Sequence, residues 1–186
     1  QAETTLEGTL YFRNLDSKTI TKQVSLGSTL PFAVGYLDDS TVAVIGDYST
    51  VIIDRKGNVR KTIAYSADDL DAFHFGGNTL ALLTRSYSGD ARSELIMLDA
   101  GGDASEPLSV HEEVQAIDYD GARLALLTTS GLTVYDSNLR ALWTNTDAAG
   151  AHAIGLTKDG GVWLLYPKQA HYVSSASDTS EDVKKS

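Results

Sequence analysis

Cysteine is absent from the 186 residues, proline occurs three times, tryptophan twice and methionine once. Without thiols there are no disulfides, no thiol nucleophile and no Cys-based zinc site. Basic residues are also few: 15 Lys and Arg stand against 25 Asp and Glu, for a net charge of −10. They are scattered, with short pairs only at Arg55-Lys56, Arg60-Lys61 and Lys184-Lys185. Such a surface repels phosphate, so nucleic acid is not an expected partner. No apolar run reaches the roughly 18 residues that a membrane-spanning helix needs. No signal peptide is present, and the chain starts at Gln1, which reads as a processed, trimmed or partial chain. Amphipathic helices are missing too: no window of a dozen residues carries apolar positions at i, i+3, i+4 and i+7. Asp68–Phe73 is expected to make one helical turn at most.

What is present is a repeat. Four runs end in an apolar-Asp step: LYFRNLD at Asp16, VIID at Asp54, LIMLD at Asp99 and LTVYD at Asp136, spaced 38, 45 and 37 residues apart. A second family precedes them: VAVIG from Val42, LALLT from Leu80, LALLT from Leu124 and VWLLY from Val162. A third lies earlier still: PFAVGY from Pro31, DAFHF from Asp71, QAIDY from Gln115 and HAIGL from His152. The longer middle gap holds a polar insert, Ser86 to Arg92. Three families with one period of about 40 residues define a unit of four short strands, a to d. Hairpin chemistry separates a from b, as in Gly76-Gly77-Asn78 and Asp120-Gly121.

Four-stranded units at this period predict an all-β chain, a β-propeller of about four blades or part of a larger one. Residues 1–8 are expected to be a loose lead-in and 9–173 the repeats. Those divide into a partial unit (9–26), full units (30–66, 70–110, 114–146) and a second partial unit (151–173). Residues 174–186 read as a disordered polar tail. In strand a, Val34/Tyr36, Phe73/Phe75 and Ile117/Tyr119 share one parity, and Ala33/Gly35, Ala72/His74 and Ala116/Asp118 the other. Large residues facing small ones would let neighbouring blades stack. The terminal pieces are expected to complete one blade. Otherwise blades are missing from this segment, or two copies complete one ring as a homodimer.

The stretch Val134-Tyr135-Asp136-Ser137-Asn138-Leu139-Arg140-Ala141-Leu142-Trp143 resembles the Asp-x-x-Gly-Lys-x-x-Trp repeat of quinoprotein or YVTN-type β-propellers. Asp54-Arg55-Lys56-Gly57-Asn58-Val59-Arg60 matches its turn without the Trp. The Gly-His and Trp-Asp pairs of WD40 repeats are absent. The chain is also similar to uncharacterised, membrane-anchored propeller-like proteins of Gram-positive Firmicutes. That resemblance implies a place outside the cytoplasm, at the cell surface. It carries over no cofactor ligands, since none can be matched, and no cofactor is expected.

In a propeller the d–a and b–c loops share one end, here called the top. That end collects Asp47, Tyr48, Asp68, Asp69, Tyr87, His111, Glu112, Glu113 and Asp147, opposed only by Arg85 and Arg92. An acidic rim would attract a cationic ligand or a basic protein; equally, loops of an acidic protein are acidic because they are solvated. His74 and Asp118 hold one strand-a position in successive units. They are expected either to line a channel as a titratable pair or to make inter-blade hydrogen bonds. His111-Glu112-Glu113 are consecutive and do not suggest a metal site. No Gly-x-Ser-x-Gly elbow, GxGxxG or Walker loop occurs, so no catalytic residue is assigned. Trp143 and Trp163 read as packing residues. The preferred reading is a non-catalytic binding or scaffold module that meets a protein or other ligand through its top loops. The alternatives are a propeller hydrolase or lyase using His74, Asp118 and His111 in a central funnel, and a half-propeller that assembles with another copy.

Overall fold

The structure is a computed structural model that describes residues 7–65, 69–86 and 92–175. The lead-in before residue 7 and the tail after 175 lie outside the described residues. Two compact units, Gln1–His111 and Glu112–Ser186, divide the chain.

The first unit opens with a two-stranded sheet, β1 (Thr9–Arg13) and β2 (Ile20–Ser25). A four-stranded meander follows: β3 (Pro31–Asp38), β4 (Thr41–Gly46), β5 (Ser49–Asp54) and β6 (Val59–Ala64). A second meander holds β7 (Asp69–Gly76), β8 (Thr79–Ser86), β9 (Arg92–Asp99) and β10 (Leu108–Val110). The second unit contains β11 (Val114–Tyr119), β12 (Arg123–Thr128), β13 (Gly131–Asp136) and β14 (Ala141–Asn145). It ends with a three-stranded sheet, β15 (Ala153–Leu156), β16 (Val162–Tyr166) and β17 (Gln169–Val173). All pairings are antiparallel between consecutive strands. The fold is a β-propeller built of four-stranded blades.

Burial explains the apolar runs. All six residues of β4 and the first five of β5 are buried, whereas β6 is almost wholly exposed. A strand covered on both faces needs apolar residues at every position, so VAVIG and LALLT do not alternate. Successive side chains nonetheless point opposite ways. Val42 and Val44 join Val51, Ile53, Val24 and Leu26 in one cluster. Ala43 and Ile45 join Ile52, Leu80, Leu82 and Leu98 in another. In the second unit Ala125, Leu127 and Val134 pack with Val162 and Leu164.

The expected large-on-small stacking occurs at Gly35. A Cβ there would lie 2.6 Å from the Phe75 ring of the next blade. Phe32 meets Phe73 with ring centroids 6.0 Å apart, so β3 and β7 run side by side in the same direction.

Three features depart from expectation. The end pieces form separate two- and three-stranded sheets rather than one completed blade. Asp16 is not the counterpart of Asp54, Asp99 and Asp136. Each of those closes its strand and accepts turn N–H groups: Asp54 from Lys56 and Asn58, Asp136 from Asn138 and Arg140. After β1 that task falls to Asn14, whose Oδ1 accepts the N–H of Asp16 and Ser17 at 2.9 Å. A side-chain oxygen two residues back serves equally from Asn or Asp, so counting Asp placed the repeat two residues late. Lastly, the stretch from Asp69 is strand and not a helical turn, because β7 pairs Asp69 with Arg85.

Replacing Gly35 by Ala is expected to lower stability by about 1–3 kcal/mol through overpacking. Urea unfolding measures this, and adding Phe75→Leu should recover part of the loss. An unchanged midpoint for Gly35→Ala would mean that the ring does not rest on this glycine.

Candidate functional site

The top ends of the blades are set by register. In the first unit Pro31 pairs with Gly46 and Ser49 with Ala64, which gathers Asp47 and Tyr48 beside the entry to β3. Asp47 is half-buried, and its Oδ1 accepts the N–H of Leu30 at 2.9 Å and of Tyr48 at 3.0 Å. It therefore pins the incoming chain to the β4–β5 hairpin. Tyr48 is 72% exposed. Asp69 is exposed at the start of β7. Arg85 pairs with Asp71 at 2.8 Å and Arg92 with Glu94 at 3.2 Å. Asp68 and Tyr87 lie outside the described residues.

His111 closes the first unit and is exposed, as are Glu112 and Glu113 at the start of the second. The Glu112 carboxylate accepts the Thr128 hydroxyl at 2.6 Å. That hydrogen bond, with one from Ser130, holds its carboxyl below the usual range. The Glu113 carbonyl accepts the Thr129 N–H at 3.0 Å. Asp147 lies in a single 3-10 turn, Thr146–Ala148, capped by Asn145. Its carbonyl accepts the Tyr166 hydroxyl at 3.4 Å. Burial, and then the Asp147 charge, raise the Tyr166 pKa.

His74 is half-buried on β7 of the first unit, and Asp118 sits on β11 of the second. Asp118 Oδ2 accepts the Leu156 N–H of the next sheet at 2.7 Å, and Oδ1 accepts its neighbour Tyr119 N–H at 2.9 Å. That is an inter-blade hydrogen bond. Among the described residues no group of three or more His, Asp or Glu side chains converges on a point that could hold a metal.

At the bottom of the second unit, charges are used to close turns. Asp120 Oδ1 accepts the N–H of Ala122 and Arg123, and its Oδ2 takes the Arg123 guanidinium at 2.8 Å. Partial burial pushes the Asp120 carboxyl up, but these donors together outweigh it and the net shift is downward. Arg123 reaches on to the carbonyls of Thr157 at 3.2 Å and Lys158 at 3.1 Å in the last sheet. Asp159 accepts from the Thr157 hydroxyl, and the Tyr172 hydroxyl donates to it at 2.6 Å. These bonds bring its pKa down to about 2. Gly160 has φ +94°, and a Cβ on it would overlap the Arg123 guanidinium.

The feature that sequence reasoning missed is a cleft in the first unit. A cavity of about 520 Å³ is lined by Tyr11, Phe12, Arg13, Val34, Tyr36 and Arg55, among others. It opens at the bottom, near the β3–β4 and β5–β6 turns. A second hollow of about 250 Å³ continues along Leu10, Leu26, Phe32 and Val34. Both lie between β1 and β3, beside the place where Leu10, Phe12, Val24 and Leu26 pack on the central strands β4 and β5. Exposed on β3 are Val34 (58%) and Tyr36 (73%), which line the cleft with Tyr11 (54%), and, at the bulge where the strand begins, Phe32 (60%). Among the described residues β1 pairs with β2 alone, so its other edge borders the cleft without a partner strand. The signal was the two-strand first repeat beside a fully apolar strand a.

No protein-family model and no curated protein matches the chain. Solved structures do. One of the eukaryotic initiation factor is similar over 87% of this chain and 43% of its own, with 13% identity and a TM-score of 0.66. A protein of unknown function from Bacteroides caccae is similar over 90% of this chain and 69% of its own, with 11% identity and a TM-score of 0.50. BamB from Moraxella catarrhalis covers 94% of this chain at 12% identity, with 66% of its own length matched, but its TM-score of 0.41 is too low to bear on the fold. At these identities the likeness concerns fold alone. This chain spans less than half of the initiation-factor structure.

Asp159 carries a pH signature. A carboxylate whose folded pKa lies below its ordinary 3.8 stabilises fully above that value. That contribution is lost as pH falls through about 2. Thermal melts should therefore show wild type losing stability across this acid range relative to Asp159→Asn. Curves that stay parallel would show the carboxylate is not engaged. Asp118→Ala should cost about 1–3 kcal/mol, because it strands the Leu156 donor. Asp118→Asn, which keeps an acceptor, should cost less in the same chemical denaturation.

Proposed function

We propose that this chain is a non-catalytic binding module that takes an extended polypeptide in the cleft between β1 and β3. The observation that supports this is the apolar surface of Phe32, Val34 and Tyr36, exposed along β3. Contiguous apolar surface of this kind marks interaction sites. A bare strand edge beside it suits strand addition, in which main-chain hydrogen bonds supply affinity and alternate side chains enter pockets. Arg13, Asn14, Asp39 and Arg55 at the mouth offer polar partners of both signs. Binding through the acidic top loops fits less well, because the Asp47 carboxylate already accepts the Leu30 N–H and the Glu112 carboxylate the Thr128 hydroxyl. The resemblance of Val134–Trp143 to the quinoprotein and YVTN repeat supports a place in that class. On the same footing we place the protein outside the cytoplasm, at the surface of a Gram-positive bacterium.

Selection from a random dodecapeptide display library tests the proposal. Wild type should enrich peptides with apolar residues at alternate positions, and Tyr36→Glu should weaken those binders about thirtyfold or more, as for an aromatic anchor. Asp69→Asn and Glu113→Gln should leave them unchanged. Binders indifferent to Tyr36→Glu would overturn the reading.

A further inference from the structure

Within each of the two units, neighbouring sheets meet by one rule. At strand a, a small or polar residue of one blade receives the following large residue, or its backbone, from the next. Gly35 receives the Phe75 ring. Asp118 receives the Leu156 N–H. Gly35, His74, Asp118 and Gly155 are equivalent positions, as are Tyr36, Phe75, Tyr119 and Leu156. Each end of this series is open. A Cβ on Gly155 would meet nothing within 4 Å, and Tyr36 is 73% exposed.

The surroundings of both ends match. Gly155 pairs with Trp163 and Trp163 with Tyr172, so all three share one face of the last sheet. Leu165 lies on that face as well, opposite Ala153. Trp163 is 45%, Leu165 41% and Tyr172 41% exposed, while Val162 and Leu164 on the other face are buried. Around Tyr36 the complementary surface is Val34, Phe32 and the edge of β1. Both turn ends carry charges of both signs, Arg13, Arg55 and Asp39 beside the cleft and Lys158 and Asp159 after β15, so the match between the two ends is in their apolar surfaces.

We propose that the occupant of the cleft is a second copy of this chain, whose last sheet seats its Trp163 face on the Val34–Tyr36 row. This rests on the reading of the cleft as a polypeptide site, and makes the polypeptide that enters it the face of a folded sheet instead of a single extended strand. Because the two faces are different surfaces, the contact is head-to-tail, and each copy offers one of each. Two copies close a pair of such contacts if the rotation allows; otherwise the chain extends.

The test is light scattering of the full chain after size exclusion, over a wide concentration range. Wild type should show a mass of two copies or more that falls on dilution. Tyr36→Glu alone and Trp163→Glu alone should each be monomeric, with self-affinity weakened about thirtyfold or more. Mixing the two variants should restore a dimer, since one keeps the Trp163 face and the other the Tyr36 face. Melts of each variant matching wild-type monomer confirm folding. A wild-type monomer at every concentration, with display-selected peptides still lost on Tyr36→Glu, overturns this inference and leaves the peptide cleft standing. A monomer without Tyr36-dependent peptide binding overturns both. Self-association that survives both variants, or variants that do not complement, also overturns it.

Discussion

Stacking of sheet on sheet is the constraint on which this structure depends. Each blade has central strands that are apolar on both faces, so a single blade in water would expose one greasy surface whichever way it turned. Ala43 and Ile45 face one neighbour and Val42 and Val44 the other. Local hairpins make the blades, but burial against the next blade is what makes them stable. Close approach is obtained by reducing one partner to glycine, as at Gly35, or by a backbone hydrogen bond, as at Asp118.

Charge plays a supporting part. The chain is acidic, yet many of its carboxylates act locally as acceptors for turn N–H groups. Asp54, Asp120 and Asp136 each close a turn, and Asp47 ties a connecting segment to a hairpin. Each replaces water as the partner of backbone donors that a tight turn leaves without a strand. An acidic composition here is mostly a consequence of having many turns. Function is better sought where the stacking rule is left incomplete, at the uncovered inner strand β3 and the outer face of the last sheet.

The repeat was legible because periodicity survives divergence: apolar positions in strands b and c are dictated by two-sided burial and recur every 40 or so residues. The turn residues were legible for the same reason, with one slip at Asp16, where Asn14 does the chemistry of an aspartate. The cleft was not legible. Phe32, Val34 and Tyr36 are spelled like any other strand a, and what makes them a surface is that no strand among the described residues covers them. The same holds for Asp118, whose partner Leu156 lies 38 residues away in the next sheet.

By itself, then, the amino-acid order determined that the chain is all-β, that it repeats a four-stranded unit about every 40 residues, and that its sheets must pack in series. Those properties are local or periodic, and each is written in side-chain type. Which faces are covered and which stay bare, and which carboxylates are tied up and which meet solvent, was decided by tertiary structure alone. Coverage depends on what lies opposite, and identical apolar residues become core or binding surface according to whether a neighbouring strand removes them from water.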